Sequence, residues 1–451
     1  MVPVDLLLVG CALAAAAVGP DSSTWPTYGG DAARSHVSDV APPTNPVEAW
    51  RRDVGTSPAW PGPAKRDAYN KVEDLKSRLR FDDAPQPTIV DGVVIVGSSR
   101  DDTVEAIDIE TGTVNWTFWT EGPVRFSPFI HGDRVLVGSD DGHLYALDRE
   151  SGAEQWRVRP GPVDRRVAGN GRIVSAWPIR TGPVVIDGDV YATAGIFPLE
   201  GVWVAAYNVE TGEPTWKVRH TDLPAQGYLV GSPERLYVPA SRDTPVVLNR
   251  GDGARVGKLG GQGGTWVLLT GDDVIYGPGK QGRLGNYDKH GDGVATFQGL
   301  RMVVADGMSY LLDADALSAL DRDRYRALAV LRRSFHAERS LLDEAVKAGN
   351  ETANDRAKVI AAELNRIAED MRDCLQWRVE ANHPHALLLA GGVLVAGGDG
   401  EIAAFSMTDG ERLWTRPVDG AAKGLAVVDG ALLVSTDTGH VHCFREGSDI
   451  Q

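Results

Sequence analysis

Cysteine is scarce in this chain. Three occur in 451 residues, Cys11, Cys374 and Cys443, well separated and never adjacent. No disulfide can be read from such spacing, and no paired-cysteine zinc pattern exists. Cys374 falls on a helical stripe and Cys443 on a strand, so both read as small packed side chains. Long apolar runs are absent beyond the N-terminus, so no internal membrane span is expected. Positive charge is in deficit: 46 Lys and Arg face 62 Asp and Glu, a formal net charge of −16. That balance argues against a nucleic-acid partner. Neither a nucleophile elbow G-x-S-x-G nor a zinc helix H-E-x-x-H is present. DKHGDG (288–293) starts like a calcium loop, but its twelfth place is Gly299 where a bidentate Glu is needed. His383-Pro-His385 and His440-Val-His442 lack a third ligand and a zinc spacing. No metal site and no catalytic residue is therefore assigned.

What the chain does have is repetition. DGVVIVGSSRDDTVEAIDIETGTVNW ends at Trp116, and HGDRVLVGSDDGHLYALDRESGAEQW ends at Trp156. YNVETGEPTW ends at Trp216 and FSMTDGERLW at Trp414, while weaker copies carry Gly257 and Phe297 at that place and a split copy ends at Trp377. The steps along this series are 40, 60, 41, 40, 80 and 37 residues. A period near 40 built of short, alternating, β-branched runs separated by turn residues indicates one four-stranded propeller blade per unit. The two long steps mark insertions.

The last unit opens at Asp429-Gly430, and its aromatic place falls beyond Gln451. VEAWRRDV, around Trp50, is an aromatic strand with no blade before it, so it is expected to supply that missing outer strand. Closure leaves only short, protected edges. The expected fold is all-β: an eight-bladed β-propeller over 47–451, closed by strand 47–53, with a helical hairpin inserted in blade six. Trp50, Trp116, Trp156, Trp216, Trp377 and Trp414 are assigned a structural role, each burying a large ring between blades.

Three insertions depart from the repeat. PAKRDAYNKVEDLKSRLRFDD (63–83) has helical periodicity and no evident chemistry. In 322–376, Leu328, Leu331, Phe335, Leu342 and Val346 form one stripe, and Ile360, Leu364, Ile367, Met371 and Cys374 a second. With Gly349-Asn350 between them and Thr352 or Asn354 as cap, they predict an antiparallel hairpin with a coiled-coil-like seam. It reads as an inert extension, a partner-docking arm, or a hinge or oligomer contact. The third insertion, 157–182, holds six Arg and one acid in a strongly acidic chain. Arg forks match carboxylates and phosphates, and Gly169-Asn170-Gly171 can turn backbone N–H groups outward. Arg165, Arg166, Asn170, Arg172, Trp177 and Arg180, joined by Arg125 from the previous connection, are the candidate binding residues, placed over the funnel mouth. The competing expectation is that each Arg pairs with a blade carboxylate.

The pattern A-x-D-x-x-T-G-x-x-x-W resembles the tryptophan-docking repeat of the pyrroloquinoline-quinone (PQQ) propeller superfamily. The likeness covers about 85–451 and the strand at Trp50. WPTYGGDAARSHVS (25–38), within a lead-in segment at 21–46, resembles the start of such propellers. That superfamily holds quinoprotein alcohol dehydrogenases and the lipoprotein scaffold of outer-membrane β-barrel assembly, so the resemblance implies one of two functions. One is a non-catalytic scaffold or binding platform outside the cytoplasm, with a protein partner or small anionic ligand. The other is a PQQ-dependent dehydrogenase holding quinone and calcium in the central funnel, usually above a disulfide of adjacent cysteines. No Cys-Cys pair is present and no motif supplies the calcium ligands, so the scaffold is preferred and no cofactor is expected.

LLLVGCALAAAAVG near the N-terminus reads as a secretory signal within 1–20, cleaved after Ala17. Leu8-Val9-Gly10-Cys11 also resembles a lipoprotein cleavage box, which would anchor the chain to a membrane at Cys11. Either route gives a periplasmic or secreted protein. An uncleaved start is the third reading.

Overall fold

The structure is a computed structural model that describes residues 24–56, 83–169, 172–196, 198–240, 243–261, 263–264, 266–271, 273–279 and 282–447. The signal segment, Cys11, nearly all of the 63–83 insertion and Asn170 lie outside the described residues.

The repeat becomes a series of antiparallel meanders. Four-stranded sheets span 129–158, 184–220, 230–258, 266–298 and 301–380. The sheet at 88–119 has a fifth strand, Thr24–Trp25, on its first edge. The remaining meanders join into one eight-stranded sheet through the long strand Arg412–Val428. Its first half pairs with Asp399–Ser406 and its second with Ala431–Thr436. At the far edge of this sheet, Pro46–Asp53 lies antiparallel to His440–Glu446, with Trp50 opposite Cys443.

Local chemistry explains the unit. Asp91-Gly92 turns one hairpin with φ of +51° and +76°, both left-handed, as a two-residue type I′ turn requires. Alternation then puts Ile95 opposite Ala106, both fully buried. In the D-x-x-T-G corner, Asp108 Oδ1 accepts from the Thr111 backbone N–H at 2.8 Å and from its hydroxyl at 2.8 Å. These bonds hold the Asp108 carboxyl below its usual range. Asp148 with Ser151, and Asn208 with Thr211, repeat the corner.

The tryptophans join neighbours. Nε1–H of Trp116 donates to Arg149 O at 3.0 Å, that of Trp156 to Val209 O at 3.2 Å, and that of Trp216 to Arg250 O at 2.8 Å. Trp377 reaches Met407 O at 3.2 Å, and Trp50 reaches Ile109 O at 2.8 Å. Each acceptor belongs to the corner of the next sheet. Trp414 packs on the core shared by the first and last meanders.

Two helices interrupt the sheet at 301–380 between its third and fourth strands: α1, Arg322–Lys347, and α2, Glu351–Arg372. Asp321 caps α1 through Arg324 N, and Asn350 caps α2 through Ala353 N at 3.0 Å. The cap is therefore Asn350 rather than Thr352 or Asn354. Gly349, with φ +76°, reverses the chain at once and leaves Asn350 in extended geometry, ready to cap. Ala353, Ala357, Ile360 and Ile367 of α2 are buried, but Leu331 of α1 is 40 % exposed and lies off the seam. The base of the pair is rooted in the sheets: Tyr325 and Leu328 pack on the Phe297, Leu320 and Cys374 cluster.

The lead-in segment runs through the middle. Thr24–Trp25 pairs with Thr88–Val90, and Val37–Ser38 runs parallel to Ala386–Ala390. Between these ends, Pro26 O accepts from Ile130 N and Ala33 O from Leu269 N. One short stretch thus touches the first strands of several sheets. Most of those first strands lie against their neighbours in sequence, 88–90 on 129–131, 129–131 on 184–186, 184–186 on 230–231, 230–231 on 266–270 and 301–305 on 386–390, and they border it.

Candidate functional site

The insertion at 157–182 folds as a small β-ribbon, Arg166–Gly169 against Arg172–Ser175. Its arginines do not converge. Arg165 Nη2 lies 2.6 Å from Glu200 Oε2, and its guanidinium stands 4.8 Å from the Trp177 ring centroid. Arg166 bonds Glu121, and Arg172 bonds Asp102 and the Arg100 carbonyl. Trp177 is buried, with Nε1–H donating to Gly201 O at 3.1 Å. Arg165, Arg166 and Arg172 therefore each meet a carboxylate from a different turn or loop.

Arg125 and Arg180 behave differently. Both are buried, and both reach Asp140, which is fully enclosed: Arg125 Nε is 2.7 Å from Oδ2 and Arg180 Nε is 3.2 Å from Oδ1. Two cations share one carboxylate here. Asp141 next door accepts from Tyr145 Oη–H at 2.6 Å and from His143 N at 2.8 Å.

A second polar cluster sits on the axis of the first strands, and the sequence reading did not single it out. Arg34 is fully buried. It donates to Thr27 Oγ1 at 2.5 Å, Tyr28 O at 3.1 Å, Pro183 O at 2.9 Å and Leu229 O at 3.3 Å. Burial draws its guanidinium down to about 10. Tyr28 stacks on Tyr228 at 3.9 Å and meets His36 edge-on at 4.8 Å. Burial, aided by Arg301 and Arg34, pushes His36 down to about 3 and keeps it neutral. Arg301, Lys423 and His385 complete the lining of a cavity of about 10 Å³ beside Trp266. The one signal for this cluster was compositional: Trp25, Tyr28, Arg34 and His36 crowd a short Gly-rich stretch ahead of the first repeat.

Among the described residues, no group of three His, Cys, Asp or Glu side chains could hold a metal ion. Cys374 and Cys443 are both buried and unpaired. The described residues therefore do not fit the calcium and cysteine pair that the PQQ resemblance implies, and no step through a quinone is derived.

The sequence profile of the family described as outer membrane protein assembly factor BamB matches residues 33–194, 128–324 and 363–449. The chain belongs to this family. Relatives of this BamB-family chain include the quinohemoprotein alcohol dehydrogenase of Comamonas testosteroni, 30 % identical over 207 residues, which is 43 % of this chain and 25 % of that protein. Outer membrane protein assembly factor BamB of Yersinia pestis is 25 % identical over 173 residues, 37 % of this chain and 41 % of that one. The matches thus span between a quarter and about two fifths of these relatives' own lengths. Among solved structures, the Comamonas testosteroni quinohemoprotein alcohol dehydrogenase superposes with a TM-score of 0.61 at 15 % identity, covering 96 % of this chain and 83 % of that one. A europium-containing methanol dehydrogenase gives 0.56 at 11 % identity, covering 94 % and 98 %. These likenesses show a β-propeller of the PQQ-repeat kind. Several of the relatives are named quinoproteins, so they lend no support to the expectation that this chain binds no cofactor. No helix among the described residues is long and apolar enough to cross a membrane.

Proposed function

We propose that this chain is an eight-bladed propeller acting outside the cytoplasm as a non-catalytic scaffold, with a protein as its partner. On this reading the eight-stranded sheet is two blades joined by Arg412–Val428, Pro46–Asp53 closes the last blade, and the helical pair stands in blade six. The observation that carries the reading is the filled axis. Arg34 is buried there and ties the lead-in segment to carbonyls of two sheets. A dehydrogenase of this fold needs its reacting group in that region with a cation beside it, and the described side chains offer carbonyl-bound arginine instead. The additions to the repeat support the same reading. The helical pair and the ribbon at 166–175 extend the surface beyond the blades, and Ile173 and Leu341 are 66 % and 84 % exposed. Relatives named BamB are, by that name, assembly factors. The N-terminal signal reading supports a location in the periplasm or outside the cell.

Absorbance and native mass spectrometry of purified protein incubated with PQQ and calcium test this. No mass shift and no quinone band is the expected result. A stoichiometric quinone adduct overturns the scaffold reading in favour of a PQQ-dependent dehydrogenase.

A further inference from the structure

The axial cavity has an unbalanced charge. Arg301 and Lys423 line it, and Arg34 acts on its His36 wall from behind, yet the carboxylates facing these cations are few. Asp31 acts on Arg34 from a distance, and Asp83 Oδ2 lies 3.5 Å from Lys423 Nζ. Arg301 meets no carboxylate among the described residues, and its Nη1–H donates to Leu300 O at 2.9 Å. Asp399 takes the Nε2–H of His385 at 2.7 Å, but its side chain is 84 % exposed and water screens it. His385 Nδ1 then accepts from Lys423 at 3.2 Å, which fixes this imidazole as neutral. Among the described residues, three cations thus face two anions in a poorly solvated space.

The remaining polar side chains on the lining are Tyr28 and His36. The imidazole of His36 is the one with an unmet nitrogen. Its Nε2 is buried and has no hydrogen-bond partner among the described residues. An orphaned polar atom of this kind costs about 1–3 kcal/mol, so an unplaced partner is the economical explanation. The backbone makes the placement deliberate. Arg34 and His36 both adopt left-handed geometry, with φ of +61° and +55°. That conformation costs a non-glycine residue about 1 kcal/mol or more. Gly29 makes it feasible, since its carbonyl accepts from His36 N at 2.9 Å and a Cβ there would strike Arg34 Cα at 2.8 Å. The result sends one side chain into sheet carbonyls and the other to the cavity wall.

We propose that the axial cavity binds one monovalent anion of halide size, held by Arg301, Lys423 and the Nε2–H of His36. Size and charge both select it. A cavity of about 10 Å³ holds at most one small occupant, which favours a small monovalent anion over larger organic acids. A single negative charge completes the balance between the three cations and two carboxylates. Trp266, Met302 and Leu387 wall the space and strip water from the ion, which strengthens each contact. The site lies apart from the arginine ribbon and does not depend on the scaffold reading.

The test uses the full chain and bromide. Thermal unfolding is followed in sodium bromide, chloride and gluconate at equal ionic strength, with gluconate as the anion too large to enter. The expected result is a saturable rise in Tm of about 2 °C in the halides over gluconate. Arg301→Gln and His36→Phe remove the halide-specific rise. Crystals grown in bromide are expected to show an anomalous peak between Arg301, Lys423 and His36. Equal Tm values in the three salts, with no anomalous peak in the cavity, overturn the proposal and leave a water there. If a variant fails to fold, the bromide peak in the unaltered protein decides alone.

Discussion

The Trp50 indole rests on Gly112, a residue of the neighbouring sheet: a Cβ added at Gly112 would stand 2.9 Å from the indole ring. Gly112 has φ +70° and turns the corner whose carbonyl, at Ile109, receives the Trp50 Nε1–H. The same contact recurs between Trp116 and Gly152 and between Trp216 and Gly253. The glycine therefore serves the turn and also leaves room for a ring from the next sheet.

Trp50→Ala is expected to cost about 3 kcal/mol, the low end for deleting a packed aromatic, because the ring is half-buried. Gly112→Ala should cost about 1–2 kcal/mol, through positive φ and the clash. Since both changes break one contact, the double variant should lose less than the two separate losses added together. Denaturant midpoints of the four proteins check this. Full additivity would show that ring and turn act independently.

Asp140→Asn leaves Arg125 and Arg180 enclosed without their shared carboxylate. A loss of about 3 kcal/mol or more is expected. Arg165→Gln and Arg166→Gln, whose partners are half-exposed, should each cost under about 1 kcal/mol. Chemical denaturation of the three variants distinguishes a buried ionic core from surface pairing.

Acid should loosen the strand Pro46–Asp53 on its partner His440–Glu446. His442 is held neutral, accepting from Asp419 N–H at 3.2 Å through Nε2 and donating from Nδ1 to Glu48 Oε2 at 2.8 Å. Burial lowers its folded pKa below the ordinary value near 6.5, opposed by Glu48 and reinforced by Arg51 and His440. His36, His220, His383 and His385 are lowered as well. Below pH ~6.5 the unfolded chain binds more protons than the folded one. Stability is thus present in full above that pH and is lost as pH falls below it. Unfolding midpoints from pH 8 to 5 should decline, and His442→Gln should decline less steeply. A flat profile would contradict the assignment.

The helical pair should tolerate shortening at its tip but not at its root. Replacing 332–366 with a short Gly-rich link is expected to leave the sheets folded. Tyr325→Ala should cost about 2 kcal/mol, because Tyr325 packs beside Phe297 and donates Oη–H to Thr296 O at 3.0 Å. Circular dichroism and melting curves of both proteins give the comparison.

The repeat was legible because its periodicity is local: Asp91-Gly92, Asp108-x-x-Thr111-Gly112 and Trp116 report one unit within 26 residues. The pairing of Trp50 with Cys443 could be inferred only from a strand left over at one end and one missing at the other. Composition exposed the arginines of 157–182, but composition cannot say where a guanidinium points, and Glu121, Asp102 and Glu200 come from distant positions. The axial cluster stayed hidden for the same reason. Arg34, Arg301 and Lys423 belong to three separate stretches, and none carries a recognisable spacing.

The lead-in segment also constrains the order of events in folding. Trp25 and Arg34 are made before every strand that encloses them, and Arg34 is gripped by carbonyls at Pro183 and Leu229. In the proposed closed ring, this buried arginine is expected to be enclosed as the sheets assemble rather than inserted afterwards. The lead-in residues are then expected to stay solvated while later sheets assemble around them. Contacts this distant in sequence are slow to form. The interval before the last meander meets Pro46–Asp53 is then the period when the nascent chain most needs protection.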